Sequence, residues 1–300
     1  MHSGSTALSL LLHQHPEIVA TSQPEWLSDY ARDATTPCSC GCAISSCPFW
    51  RRVAAGFAQL AGKPFDPSFA HAHVETAGSW ALRPDESLAH AAILASGSLP
   101  LLRTAARRVD TLAWNLQAAE ENLRLFEAVR LAAERPLVVD ASKIPSRGKL
   151  LYLRAPEQTR LIWLVRDGRA HAWSRAQRSG VSFAHAVAAW VRAQGEIAAL
   201  FASIPRRHWL LVRHEDVCAD PAHELARIFR FLGLAACEVS RQLGNAPAHL
   251  VGGNEMRYRA QQEILTLDER WKRALTPSQR TTFELLAGWL QRRLGYRDEL

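Results

Sequence analysis

Short unbroken apolar runs alternate along this chain with longer stretches whose apolar residues recur every three or four positions. Leu161–Val165 (LIWLV) is the clearest run, a strand of the kind covered on both faces in a parallel sheet. Trp209–Val212 (WLLV) and Leu137–Val139 read the same way, and Glu17–Ala20 (EIVA) as a shorter strand-like piece. Helical spacing marks the segment from Ser5 to the His15-Pro16 stop, then Leu101–Glu134 as one long helix or two, with Pro136 ending it. Further helices are expected to about Arg154, through Ser174, over Phe183–Phe201 and over Pro221–Leu232. A last one spans Thr276–Leu294, opened by an N-cap Thr followed by Pro. Strands alternating with helices predict an α/β fold, a parallel sheet flanked by helices.

The three apolar runs each end in a polar cluster: Asp140-Ala141-Ser142-Lys143, Arg166-Asp167-Gly168-Arg169 and Arg213-His214-Glu215-Asp216. Open α/β sheets place ligand residues at the carboxyl ends of their strands. Arg51–Pro100 mixes short helical pieces with Pro and Gly and reads as an excursion around a substrate cleft. Residues 1–300 are expected to form one domain, with about 51–135 as a helical excursion on the acceptor side.

Composition narrows the partners. The 300 residues are 48% hydrophobic and 22% charged, enough to bury a sizeable core. A formal charge of +7 suits an anionic ligand. The basic residues are scattered arginines with no tail and no interleaved aromatic patch, which argues against nucleic acid. No run is long and apolar enough to span a membrane, and no secretory signal follows Met1, so a cytoplasmic protein is expected.

The opening turn, Ser3-Gly4-Ser5-Thr6, feeds directly into the first helix. Small residues admit a ligand close to the backbone, and a helix N-terminus presents free N–H groups and the positive end of its dipole. An ordinary N-cap is the simpler reading of that turn alone. Three other features change it: Arg166 and Ser174 after a buried strand, the Asp-Ala-Ser-Lys strand end, and a Gly-Gly-Asn loop carrying Arg257. Two separate anion sites fit a nucleotide with phosphate at two places. No Lys precedes Ser5 or Thr6, so the Walker pattern is absent and a kinase-like phosphotransferase is disfavoured.

In this setting SGSTALSLLLHQHPEI resembles the 5′-phosphosulfate loop of bacterial sulfotransferases, and VRDGRAHAWSRAQRSG their 3′-phosphate motif. CSCG…CPFW, VVDASK, VRHEDV, GGNEMR and the closing Trp-Lys segment are similar to further segments of that family, in the family's order. The resemblance implies a P-loop-like sulfotransferase fold and the sulfuryl donor 3′-phosphoadenosine-5′-phosphosulfate (PAPS). It also implies a hydroxyl or amine acceptor on a carbohydrate, lipid or small metabolite. Carried over by position, Ser3, Gly4, Ser5 and Thr6 cradle the 5′-phosphosulfate, and Arg166 and Ser174 bind the 3′-phosphate. Asn254 and Arg257 lie in a loop over the same nucleotide. Glu25 is the candidate general base, although a simple count puts Gln23 at the family's Glu position. Lys143 is the candidate to stabilise the bridging oxygen.

The chain departs from that family pattern in two further places. His2 stands where the family usually has Arg or Lys. The family's first strand, expected before the loop, is missing from a chain that opens at Met1. An N-terminally truncated nucleotide-binding homologue with weak or no turnover is therefore the alternative reading. Four of the six cysteines, Cys38, Cys40, Cys42 and Cys47, fall within ten residues. Their one-residue gaps fit the usual two-to-four-residue zinc spacing poorly, so no metal is expected and packing is the favoured role. His71, His73 and His90 lack a ligand pattern and are read as surface or core residues.

Overall fold

The structure, a computed structural model, describes residues 4–33, 35–63, 66–69, 71–73 and 84–296, and only the backbone of residues 84 and 85. Its internal contacts divide into two units. The first comprises Ser5–Arg160 and Cys237–Ile264, and the second Met1–Gly4, Leu161–Ala236 and Leu265–Leu300.

The first unit opens with α1 (Ser5–His13), whose residues from Thr6 onward are all buried, and turns into β1 (Ile18–Ser22). Pro24 starts a 3-10 turn (Pro24–Trp26) that leads into α2 (Leu27–Arg32). Then come α3 (Pro48–Ala61), α4 (Pro84–Ala95), α5 (Leu99–Ala106), α6 (Asp110–Ala133), β2 (Leu137–Asp140) and α7 (Pro145–Arg154). The long helical pattern after Leu101 thus resolves into two helices, α5 and α6. β1 and β2 pair in parallel, Ile18 opposite Leu137 and Ser22 opposite Asp140, with a register irregularity between Ala20 and Ser22. One core joins Trp50, Val53 and Phe57 of α3 to Leu125, Ala128 and Val129 of α6, and takes in Val19, Val251, Cys38 and Cys47. A second joins Ile93, Leu102, Leu112, Leu116 and Leu150, from α4 to α7. Part of the predicted Arg51–Pro100 excursion, residues 64–65, 70 and 74–83, lies outside the described residues.

The second unit runs β3 (Leu161–Val165), α8 (Gly168–Ser179), α9 (Phe183–Ala202), β4 (Trp209–Arg213), α10 (His214–Ala219), α11 (Pro221–Leu232), α12 (Arg270–Ala274) and α13 (Pro277–Arg293). β3 pairs with β4 in parallel, Leu161 opposite Trp209. Its core centres on Trp190, which packs with Val165, Trp271, Phe283, Ala287 and Leu290. Gly168 is required at the head of α8, because a Cβ there would lie 2.7 Å from the Phe283 ring.

The predicted α/β class and parallel pairing are present. One detail differs: β3 is half-buried except at Val165, not covered on both faces, and β2 is half-buried throughout. Among the described residues each sheet has two strands, and the other edge of β1 meets Val251 in a parallel bridge at Ser22. No strand precedes α1 among those residues, and no helix is long and apolar enough to cross a membrane.

α13 begins with a capping box. The Thr276 hydroxyl accepts from the Gln279 N–H at 3.2 Å, and the Gln279 side chain accepts from the Thr276 N–H at 3.0 Å. Thr276→Ala is expected to lower stability by about 1 kcal/mol. Trp190→Ala, at 1% exposure, is expected to cost about 3–5 kcal/mol in urea denaturation.

Candidate active site

Pairing Ser22 with Asp140 brings the carboxyl ends of β1 and β2 side by side. The Ala141 N–H donates to the Ser22 carbonyl at 2.6 Å, and the Thr21 hydroxyl to the Val139 carbonyl at 3.1 Å. Ser22 itself has φ +67°, a left-handed conformation that a serine adopts only at a cost. It turns the chain into the segment that delivers Glu25.

Glu25 is 2% exposed. The Gln23 amide donates to its Oε1 at 3.3 Å, and the Ser142 hydroxyl lies against its Oε2. The same hydroxyl lies against Oδ1 of Asp140, so one proton faces two carboxylates. Arg147, itself buried, donates through Nε to the other Asp140 oxygen at 3.1 Å. Burial raises the Glu25 pKa first and the Asp140 charge raises it further, while Arg147 and Ser142 oppose the rise. Lys143 is half-buried, and its withdrawal from water lowers its pKa against the pull of Glu25 and Asp140. A carboxylate with raised proton affinity and an amine with lowered affinity are thus held at one strand end. Such pairs divide acid and base work between them.

The start of α1 and Ser22 both face Gly253. The first turn of α1 carries no acidic residue, so the N–H groups and the positive dipole end keep their pull on an anion. Thr6 Oγ1 accepts from the Asn254 N–H at 3.1 Å. Gly253, at φ +89°, lets its segment come close, since a Cβ there would lie 2.7 Å from Ser22 Oγ and 3.0 Å from Thr6 Oγ1. Arg257 is buried and donates through Nη1 to the Gly253 carbonyl at 2.8 Å. Its guanidinium lies 4.2 Å from the Tyr258 ring centre, and its buried Nε has no hydrogen-bond partner among the described residues. The Asn254 side chain has a local task instead, accepting from the Met256 N–H at 3.0 Å to cap a 3-10 turn.

Arg166 and Ser174 belong to the second unit, at the end of β3 and on α8. Asp167, next to Arg166 in the chain, pairs with Arg169. Its carboxylate caps α8 at the Arg169 N–H, 2.8 Å away, and pairs with the Arg169 guanidinium at 2.7 Å. The Arg166 guanidinium reaches the Asp268 carbonyl at 3.5 Å, and its charge adds to the burial that holds His214 down to about 4. Gly4, at φ +82°, packs on that neutral imidazole, and a Cβ there would lie 2.3 Å from Nδ1. Ser3 and His2 lie outside the described residues.

The model of the sulfotransferase family matches residues 63–238. This chain is a member of that family. Two solved structures are similar in fold. One is the sulfotransferase domain of the Synechococcus PCC 7002 olefin synthase, with 17% identity, TM-score 0.53, and 98% of this chain and 91% of that one covered. The other is the sulfotransferase domain from the curacin biosynthetic pathway, with 16% identity, TM-score 0.55, and 98% and 94% covered. No curated protein matches the sequence.

In this sulfotransferase the residues that sequence reasoning passed over are those that set the state of Glu25. Asp140 and Ser142 stood in plain view at the strand end, but nothing in their spacing said that Ser142 meets a residue 117 positions away. Arg147 gave a weaker signal, since an arginine one turn into a helix is usually at the surface. Gln23, the rival for the Glu position, is also buried and supports Glu25.

Arg147→Met would leave Asp140 without its cation and is expected to lower stability at pH 7 by about 3 kcal/mol. Glu25, whose folded pKa is raised, contributes stability below its unfolded pKa and loses it as pH rises through the folded value. Removing Arg147 raises the Glu25 pKa further. Urea titrations should therefore show the difference from wild type shrinking as pH falls and Glu25 takes up its proton.

Proposed function

We propose that this sulfotransferase moves a sulfuryl group from PAPS to a hydroxyl or amine, with Glu25 as general base. The observation that supports it most is the buried Glu25–Ser142–Asp140–Arg147 network, with Lys143, beside an acid-free helix N-terminus. The site suits the sulfated end of that donor. The N–H groups at Ser5 and Thr6 attract an anion, Gly253 allows close approach, and the buried Nε of Arg257 has a donor to spare. Ser3 and Gly4 complete the loop in the family pattern. Arg166 and the Ser174 hydroxyl hold the 3′-phosphate by charge-assisted hydrogen bonds. Asn254 contributes through its backbone N–H and its turn.

The donor supplies an activated sulfur–oxygen bond to phosphate. The acceptor oxygen or nitrogen bonds to sulfur as that bond breaks, and 3′-phosphoadenosine-5′-phosphate departs. Glu25 takes the acceptor proton, a task that its raised pKa suits better than that of an ordinary carboxylate. Lys143 and the N–H groups of α1 stabilise the negative charge that gathers on the transferring and leaving oxygens.

Calorimetry with 3′-phosphoadenosine-5′-phosphate against ATP tests the nucleotide. The product nucleotide is expected to bind at least about tenfold tighter than ATP, and Arg166→Ala to remove that preference. Equal binding of ATP would contradict the reading. Labelled sulfate offered with a panel of hydroxyl and amine acceptors then tests turnover. Binding without transfer would mark a nucleotide-binding homologue that does not catalyse.

A further inference from the structure

Cys38, Cys40, Cys47 and His249 converge on one point of the first unit, with a ligand atom of each within 4.8 Å of all the others. Cys47 Sγ lies 3.3 Å from His249 Nδ1, Cys38 Sγ 3.8 Å from the same nitrogen, and Cys40 Sγ 3.6 Å from Cys47 Sγ. Around a tetrahedral zinc with bonds of about 2.3 Å to sulfur and 2.0 Å to nitrogen, two sulfurs stand about 3.8 Å apart and a sulfur and a nitrogen about 3.5 Å apart. The observed separations scatter around those edges. They are far from the ~2.05 Å of a disulfide.

The surroundings hold this arrangement from outside. The His249 ring stacks on Phe49 at 4.8 Å with planes 9° apart, and its carbonyl accepts from the Trp50 indole at 3.1 Å. Ser39, between two of the cysteines, donates to the Ala248 carbonyl at 2.6 Å and accepts from the Leu250 N–H at 2.8 Å. Gly41, at φ +90°, turns the loop so that its N–H reaches the Cys38 carbonyl at 2.9 Å. Cys47 stands at the N-cap of α3, where a helix dipole favours a thiolate.

We propose that Cys38, Cys40, Cys47 and His249 form a structural zinc site. Three thiolates and an imidazole are a donor set for tetrahedral zinc, and four protein ligands leave no open position for catalysis. The fourth ligand comes 202 residues after Cys47, so no spacing pattern reveals it. The ion ties the cysteine loop to the segment that begins at His249. That segment continues through Val251, which bridges to Ser22, to Asn254, whose N–H bonds Thr6. Zinc binding therefore fixes the loop that packs on the start of α1.

Metal analysis of the full chain, purified without chelator, is expected to find about one zinc per molecule. Cys40→Ser removes an exposed ligand and is expected to bring zinc well below one equivalent with the fold intact. Cys42→Ser, in the same loop but outside the cluster, should keep it. Stripping the ion should lower the melting temperature, and added Zn2+ should restore it. Co2+ in its place should give the visible absorption of a tetrahedral thiolate site. A chain that purifies without zinc, does not respond to added Zn2+ and gives no such Co2+ spectrum would overturn the proposal. So would full zinc retention in Cys40→Ser.

Discussion

The parallel pairing of β1 with β2, in the register that sets Ser22 opposite Asp140, is the constraint on which the candidate site depends. A shift by one residue would send every side chain of the shifted strand to the other face. Asp140 and Ser142 would then leave Glu25, and the bend at Ser22 would no longer meet Gly253. The pairing links residues more than a hundred positions apart, with five helices between them. Three of those helices, α2, α3 and α6, build the core that holds β1 and β2 in place, through Val19 and Val138.

Within that frame the site is an electrostatic compromise. Two carboxylates, Glu25 and Asp140, share one serine hydroxyl, and only Asp140 has a guanidinium on its second oxygen. Burial and the neighbouring Asp140 charge raise the proton affinity of Glu25 above that of an ordinary glutamate. A buried charge without full compensation costs stability, and such groups cluster at functional sites. The left-handed serine at the end of β1 is a second local cost at the same place.

Much of this was legible in the chain. LIWLV, WLLV and LVV are strands because unbroken apolar runs of that length bury best in a parallel sheet, and each ends at the polar cluster expected. The Thr-Pro start of α13 announced its cap. What escaped depends on contacts distant in sequence. Glu25 and Ser142 meet through strand pairing, not spacing. Exposure of β2 and β3 follows from how many strands each sheet contains, which an apolar run does not encode. The meeting of Cys38, Cys40 and Cys47 with His249 joins segments two hundred residues apart, which no local spacing shows.

Glu25 is the residue on which the account stands or falls. The most direct test is the pH dependence of sulfuryl transfer for the wild type and for Glu25→Gln, with product-nucleotide binding measured alongside. Wild-type kcat/KM should fall at acid pH through a group titrating above the ~4.3 of an ordinary glutamate. Glu25→Gln should lose that limb and at least about a hundredfold in rate while binding the nucleotide as the wild type does. An unchanged profile and rate in Glu25→Gln would contradict the account.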